Sequence, residues 1–105
     1  NLQNDQLTFH FAVGNDWWFH AKQAPGSHVI VRTNGAELPD TTFEEAARLA
    51  AYYSSMRGSD KVEIDYVEKK QVKKPGGGKP GFVVYYTNYS MVIDSNISQI
   101  RLCAD

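Results

Sequence analysis

The sequence predicts an α+β fold, an antiparallel-leaning β-sheet with one main α-helix, about residues 42–57, packed against it. Three observations lead there. Several short stretches alternate apolar and polar residues; one alanine-rich stretch has helical spacing; and Gly, Pro, Asn and Asp cluster between them. With 105 residues the chain can build a single core and cannot house a two-domain enzyme. A composition of 42% hydrophobic and 12% aromatic residues is that of a folded protein rather than a disordered tail.

The first strand is expected where Leu7, Phe9, Phe11 and Val13 alternate with Thr8, His10 and Ala12, a period of two with one buried face. Gly14-Asn15-Asp16 supplies turn chemistry before a second strand, Trp17 to Lys22. In that strand Trp17, Phe19 and Ala21 share one face, and Trp18, His20 and Lys22 share the other. Pro25-Gly26-Ser27 turns the chain into a third strand, His28 to Arg32, which Thr33-Asn34-Gly35 ends. Pro25 and Gly26 are expected to be structural, because a tight turn between strands needs such residues.

Pro39 and Asp40 precede Thr41 and Thr42, and Glu44 and Glu45 each follow one threonine by three residues, so either pair can form a capping box. The helix then places Phe43, Ala46, Ala47, Ala50 and Ser54 on one stripe with Leu49, Tyr53 and Met56 beside it, and Gly58 closes it. Lys61 to Val67 reads as a strand with Val62, Ile64 and Tyr66 inside and Lys61, Glu63 and Asp65 wet. Two more strands are expected at Phe82 to Thr87 and Tyr89 to Ile93. A short element after Ser95 carries Ile97, Ile100 and Leu102. Residues 1–105 are expected to form a single domain, which starts without Met in a strand-like pattern and so reads as excised from a longer protein.

Eleven Lys+Arg against twelve Asp+Glu give a formal charge of −1, which at face value counts against a nucleic-acid ligand. The average conceals a separation. Lys69, Lys70, Lys73, Lys74 and Lys79 fall within eleven residues with no acid among them, which leaves six bases against twelve acids in the rest of the chain. Pro75, Gly76, Gly77, Gly78, Pro80 and Gly81 make the second half of this stretch a loop that can lie along a phosphate backbone. The same lysines also suit a merely solvated hairpin. The glycines do not make a phosphate loop of the nucleotide-hydrolysing kind, because Pro80 stands where Ser or Thr should follow Lys79.

The stretch from Asp16 to Val29 is the most unusual. An exposed Trp18 beside His20 and Lys22 would form a surface that stacks on a base and pairs a phosphate; a core tryptophan is the alternative. Asp16, His20 and His28 also offer donors for a small metal or catalytic pocket, although an H-x7-H spacing fits no established zinc pattern. Ser27 and His28 are adjacent, point to opposite faces of a strand and are poorly placed as a nucleophile and its base. Cys103 is the only cysteine, so no internal disulfide and no cysteine zinc site can form, which suits a reducing, cytoplasmic setting. No apolar run approaches the roughly 20 residues of a membrane span, and Asn1 to Asp5 is too polar for a signal peptide.

Asp16, Trp18, Phe19, His20, Lys22 and Pro25-Gly26-Ser27-His28-Val29 resemble the D-x-W-F-H-x-K-x-x-P-G-S-H-V signature of the NFACT-R domain, the C-terminal module of proteins long labelled fibronectin-binding proteins. Ala46-Ala47, Ala50-Ala51-Tyr52-Tyr53-Ser54 and Arg57 resemble that family's helix. Val72-Lys73-Lys74-Pro75 and Lys79-Pro80-Gly81 resemble its basic loop. Trp17, where an aliphatic residue is commoner, and Gly76-Gly77-Gly78 depart from the pattern, and the last dozen residues are the least typical. The resemblance implies one further strand before Asn1, no enzymatic activity and no cofactor. It also implies a cytoplasmic module that binds rRNA or tRNA on obstructed large ribosomal subunits, within a ribosome-associated quality control factor. On that reading Lys69, Lys70, Lys73, Lys74 and Lys79 neutralise phosphates, and Trp18, His20, Lys22 and His28 form a second contact surface, with charge added by Arg32 or Arg57. A protein-interaction module that binds fibronectin or a ribosomal protein is the alternative. Fibronectin enters only through the older label, and nothing in the sequence suggests export.

Overall fold

Two central strands hold the domain together, and each has an apolar set on both of its faces. The computed structural model describes Asn4, Thr8, residues 12–74, Val83, Tyr85, residues 87–98 and Ile100. Its elements are β1 (Trp17–Ala21), β2 (Val29–Val31), α1 (Asp40–Tyr52), β3 (Val62–Glu68) and β4 (Tyr89–Ile93). The four strands form one antiparallel sheet in the order β2-β1-β3-β4. The architecture is therefore the expected α+β one. The strand expected from Leu7 to Val13 is corrected where it can be described: Thr8 is helical and Ala12 and Val13 are in no strand, while its other residues lie outside the described ones. Of the strand expected from Phe82 to Thr87, the described residues Val83, Tyr85 and Thr87 are in no strand.

The register explains which side chains face which layer. Trp17 pairs with Glu68, Phe19 with Tyr66 and Ala21 with Ile64, while Ile64 pairs onward with Met91 and Val62 with Ile93. These residues share the face that α1 covers. Ala46, Ala47, Ala50 and Ala51 recur at helical spacing and are buried, so the helix backbone lies close to Phe19, Val62 and Ile64. The opposite face carries a second cluster, Trp18, Val67 and Val72, against which Ile30, Val83 and Tyr85 pack. A sheet covered on both sides leaves Asp65 buried rather than wet. Its carboxylate accepts hydrogen bonds from the Tyr85 hydroxyl at 2.5 Å and from Ser90 Oγ at 2.9 Å.

The helix differs from its expected bounds at both ends. It begins at Asp40 after Pro39, and no side chain caps it, so neither threonine forms the predicted capping box; Asp40 in the first turn favours the start electrostatically. It stops at Tyr52, several residues short of Arg57. Ser54 Oγ donates back to the Ala51 carbonyl at 2.7 Å, and the chain then pairs with Pro25-Gly26-Ser27 instead of continuing. Ser27 N–H donates to the Tyr53 carbonyl at 3.0 Å and Ser55 N–H to the Pro25 carbonyl at 2.9 Å. Tyr53 and Met56 are consequently exposed instead of packing beside the stripe. Gly58, with φ +96°, turns the chain beyond this bridge and does not end the helix.

Candidate nucleic-acid interface

The segment from Asp16 to His28 is built inward. Asp16 is buried, and its two carboxylate oxygens accept from the backbone N–H of Val13 at 2.9 Å and of Thr33 at 3.2 Å, which ties together the turns before β1 and after β2. Trp18 is 0% exposed. Its indole lies 5.0 Å from the Tyr85 ring, 5.7 Å from His20 in a stacked arrangement and 5.2 Å from His28 edge-on. The expectation of an exposed, base-stacking Trp18 is thus corrected, because β3 and the segments holding Val72 and Tyr85 cover the ring. Its Nε1–H has no hydrogen-bond partner among the described residues.

His28 is buried too, with Nδ1 2.7 Å from Thr8 Oγ1, and its backbone N–H donates to Asn4 Oδ1 at 3.1 Å. Asn4 Nδ2 in turn donates to the Gly26 carbonyl at 3.1 Å, so one side-chain amide brackets the turn. His20 is half-buried, and burial pushes its pKa below the usual imidazole value, against backbone hydrogen bonds at Gly26 and Ala21 that act the other way. The same burial, reinforced by the Asp65 carboxylate, raises the Tyr85 phenol. Lys22 is exposed and sits 3.3 Å from Glu63. The proposed Asp16, His20 and His28 pocket does not assemble. Asp16 and His20 are four residues apart along extended chain, about 13 Å, and among the described residues no three metal-ligating side chains gather. Ser27 is exposed while the His28 ring turns inward, so the pair has no nucleophile geometry.

Gly26 has no room for a side chain. A Cβ there would stand 2.9 Å from Ser54 Cβ and 3.0 Å from both Ser54 Cα and the Tyr53 carbonyl. Gly26 therefore serves the packing of this connection on the helix end and the Pro25 carbonyl accepts from Ser55 N–H, a structural role that comes from the helix tail and not from a tight turn between strands.

The basic stretch is built outward from a fixed root. A single 3-10 turn, Lys69–Gln71, continues β3. Lys69 N–H donates to the Asp16 carbonyl at 2.8 Å and Lys70 N–H to the Gly14 carbonyl at 3.0 Å. Val72 is buried against Trp18, while Lys70, Lys73 and Lys74 are exposed and Lys69 is half-buried. Lys70 Nζ lies 3.6 Å from Glu68 Oε1. Lys79 lies outside the described residues. Val83 and Tyr85 pack on the same cluster as Val72, so the described residues on either side of the basic stretch share one apolar patch. Arg57 is held over the Tyr52 ring, 3.7 Å from its centroid, and hydrogen bonds to its hydroxyl.

Sequence reasoning missed a third feature. On the helix-covered face, beyond the end of the core, Trp17, Phe43, Tyr66 and Tyr89 surround an open cleft of about 410 Å³ floored by Met91, with Asp40 and Glu44 at its rim. Trp17 meets Phe43 edge-on at 5.0 Å, and Tyr66 stacks on Tyr89 at 5.6 Å. Tyr89 is 59% exposed. Its register position opposite Tyr66, on the same face as Trp17, was the available signal, but it needs the strand pairing to be read.

A sheet covered on both faces, with its lysines rooted at one end of β3, defines an α+β binding module. The chain belongs to the NFACT protein RNA binding domain family, whose model matches residues 1–87. It is 52% identical over 85 residues to the Rqc2 homolog RqcH of Streptococcus suis, an alignment that covers 81% of this chain and 15% of that protein. It is 43% identical over 93 residues to the Rqc2 homolog RqcH of Bacillus subtilis, over 89% of this chain and 16% of that protein. The chain thus spans about a sixth of the curated relatives it matches. The structure of the C-terminal of the fibronectin/fibrinogen-binding protein from Streptococcus suis superposes with a TM-score of 0.87 at 44% identity, over 94% of this chain and 39% of that one.

Proposed function

We propose that the chain is a non-catalytic RNA-binding module of a cytoplasmic ribosome-associated quality control factor, and that it contacts rRNA or tRNA on obstructed large ribosomal subunits. The observation that carries this reading is the rooted lysine stretch: Lys70, Lys73 and Lys74 project from a turn bonded to Asp16 and Gly14, with Val72 buried beneath them. A fixed root lowers the ordering cost of placing charges along a phosphate backbone. Lys69, Lys70, Lys73, Lys74 and Lys79 carry the phosphate contacts. Trp18, His20 and His28 hold the root in place rather than touch RNA, and Lys22 contributes at most a peripheral charge. Membership of an RNA-binding domain family and likeness to the RqcH proteins support the RNA and the ribosomal setting. Among the described residues no helix is long and apolar enough to cross a membrane.

The test is binding of single-stranded RNA by fluorescence anisotropy across a salt series. Removing one lysine–phosphate pairing should reduce the slope of log affinity against log salt by about 0.7. Changing all five lysines to glutamine should flatten the series, and an unchanged slope would refute the assignment. Co-sedimentation with large subunits, with and without peptidyl-tRNA, tests the finer target; equal binding to both would remove obstruction from the proposal.

A further inference from the structure

We infer that the cleft bounded by Trp17, Phe43, Tyr66 and Tyr89 is a second binding site, which takes a cationic side chain, arginine or lysine, from a basic protein segment. The walls are aromatic and not coplanar: Trp17 meets Phe43 at 83°, and Tyr66 stacks on Phe19 and on Tyr89, so the exposed Tyr89 ring and the partly exposed Trp17 supply the open aromatic surface. Such surfaces attract a cation through their quadrupoles. Asp40 and Glu44 close the rim from α1, and neither has a basic partner among the described residues. From β3, Glu68 stands opposite Trp17 and is held by Lys70.

Charge decides the class of ligand. Two carboxylates at the rim repel the phosphates of a nucleic acid. Tyr66 and Tyr89 are already stacked on one another at 5.6 Å, which leaves no slot between them for a base. A guanidinium or ammonium group satisfies both sets of walls, with its charge against the aromatic rings and within reach of the carboxylates and its aliphatic stem leading out along the open side. The domain then holds RNA by its lysines and a basic protein segment by this cleft, through opposite charges on separate residues.

NMR of the indole N–H signals tests this, since Trp17 borders the cleft while buried Trp18 serves as an internal reference. The probe is a blocked pentapeptide with a central arginine among glycines, paired with the same peptide carrying norleucine. The arginine peptide should shift the Trp17 signal saturably and leave Trp18 unmoved, and the norleucine peptide should shift neither signal. The double variant Asp40→Asn with Glu44→Gln, and separately Tyr89→Leu, should each weaken binding by about two- to thirtyfold. Glu63→Gln, an exposed carboxylate elsewhere, should leave it unchanged, as should the double variant for RNA. Equal shifts from both peptides, no saturable shift of Trp17, or a uridine oligonucleotide that shifts Trp17 saturably with the rim carboxylates intact would each overturn the inference.

Discussion

Between Asp16 and His28 an aspartate, two tryptophans, a phenylalanine and two histidines are directed mainly at contacts inside the molecule, whereas between Lys69 and Lys74 four lysines and a glutamine are arranged around one buried valine. The first region is chemically rich yet mostly dry, and the second is chemically simple and wet. The difference separates recognisability from contact. Most of the residues in the family's aromatic signature build the root, and the plainer lysines face solvent. Trp18 joins the two regions, because the root of the basic loop is packed on its ring.

The comparison breaks most visibly at that indole. Trp18→Ala should destabilise the domain by about 3–5 kcal/mol, seen as a large fall in the denaturant midpoint, since it empties a cavity between Val67, Val72 and Tyr85. Gly26→Ala is next. Its Cβ would meet backbone as well as side chain at Ser54, and a cost of about 1–3 kcal/mol is expected in chemical unfolding. RNA affinity measured on the folded variant should be unchanged; a loss of affinity at full stability would make the turn a contact and erase the distinction between the regions.

Acid sharpens the comparison further. Burial lowers the His20 pKa in the folded state, so below about 6.5 the unfolded chain binds the proton more readily and stability falls as pH drops through that value towards the folded pKa. His20→Gln should flatten this part of the curve of unfolding free energy against pH. The smallest effect belongs to the wet region: glutamine at any one of the exposed lysines should shift stability by no more than about 0.5 kcal/mol, even as RNA binding weakens, and a larger loss of stability would show that the lysines are structural after all.

Strand by strand, alternation locates β1 to β4 to within a residue or two, and the alanine spacing locates α1. Alternation assigns residues to faces but not faces to environments. That is why Trp18 and Asp65 are open to misreading: the groups that cover them, Val72, Tyr85 and Ser90, come from distant or looped parts of the chain. The helix end is misplaced for a similar reason. Tyr53 to Arg57 have adequate helical character, but the backbone at Tyr53 and Ser55 finds partners far upstream, at Ser27 and Pro25. The basic stretch needs no such knowledge, since uninterrupted charge is visible in a single strip of sequence. The aromatic cleft is invisible there because Trp17, Tyr66 and Tyr89 come from three strands and meet only through register.

The bridge between Gly26 and Ser54 also bears on how the molecule opens. Two backbone hydrogen bonds tie the β1–β2 connection to the tail of α1, and the Asn4 amide brackets that connection at Gly26 and His28, so the connection and the helix tail open together. Amide hydrogens at Ser27 and Ser55 should therefore exchange with deuterium in one step, at a common free energy of opening, as members of a single cooperative unit. A turn that looks local in the sequence thus opens together with the end of a helix much further along the chain.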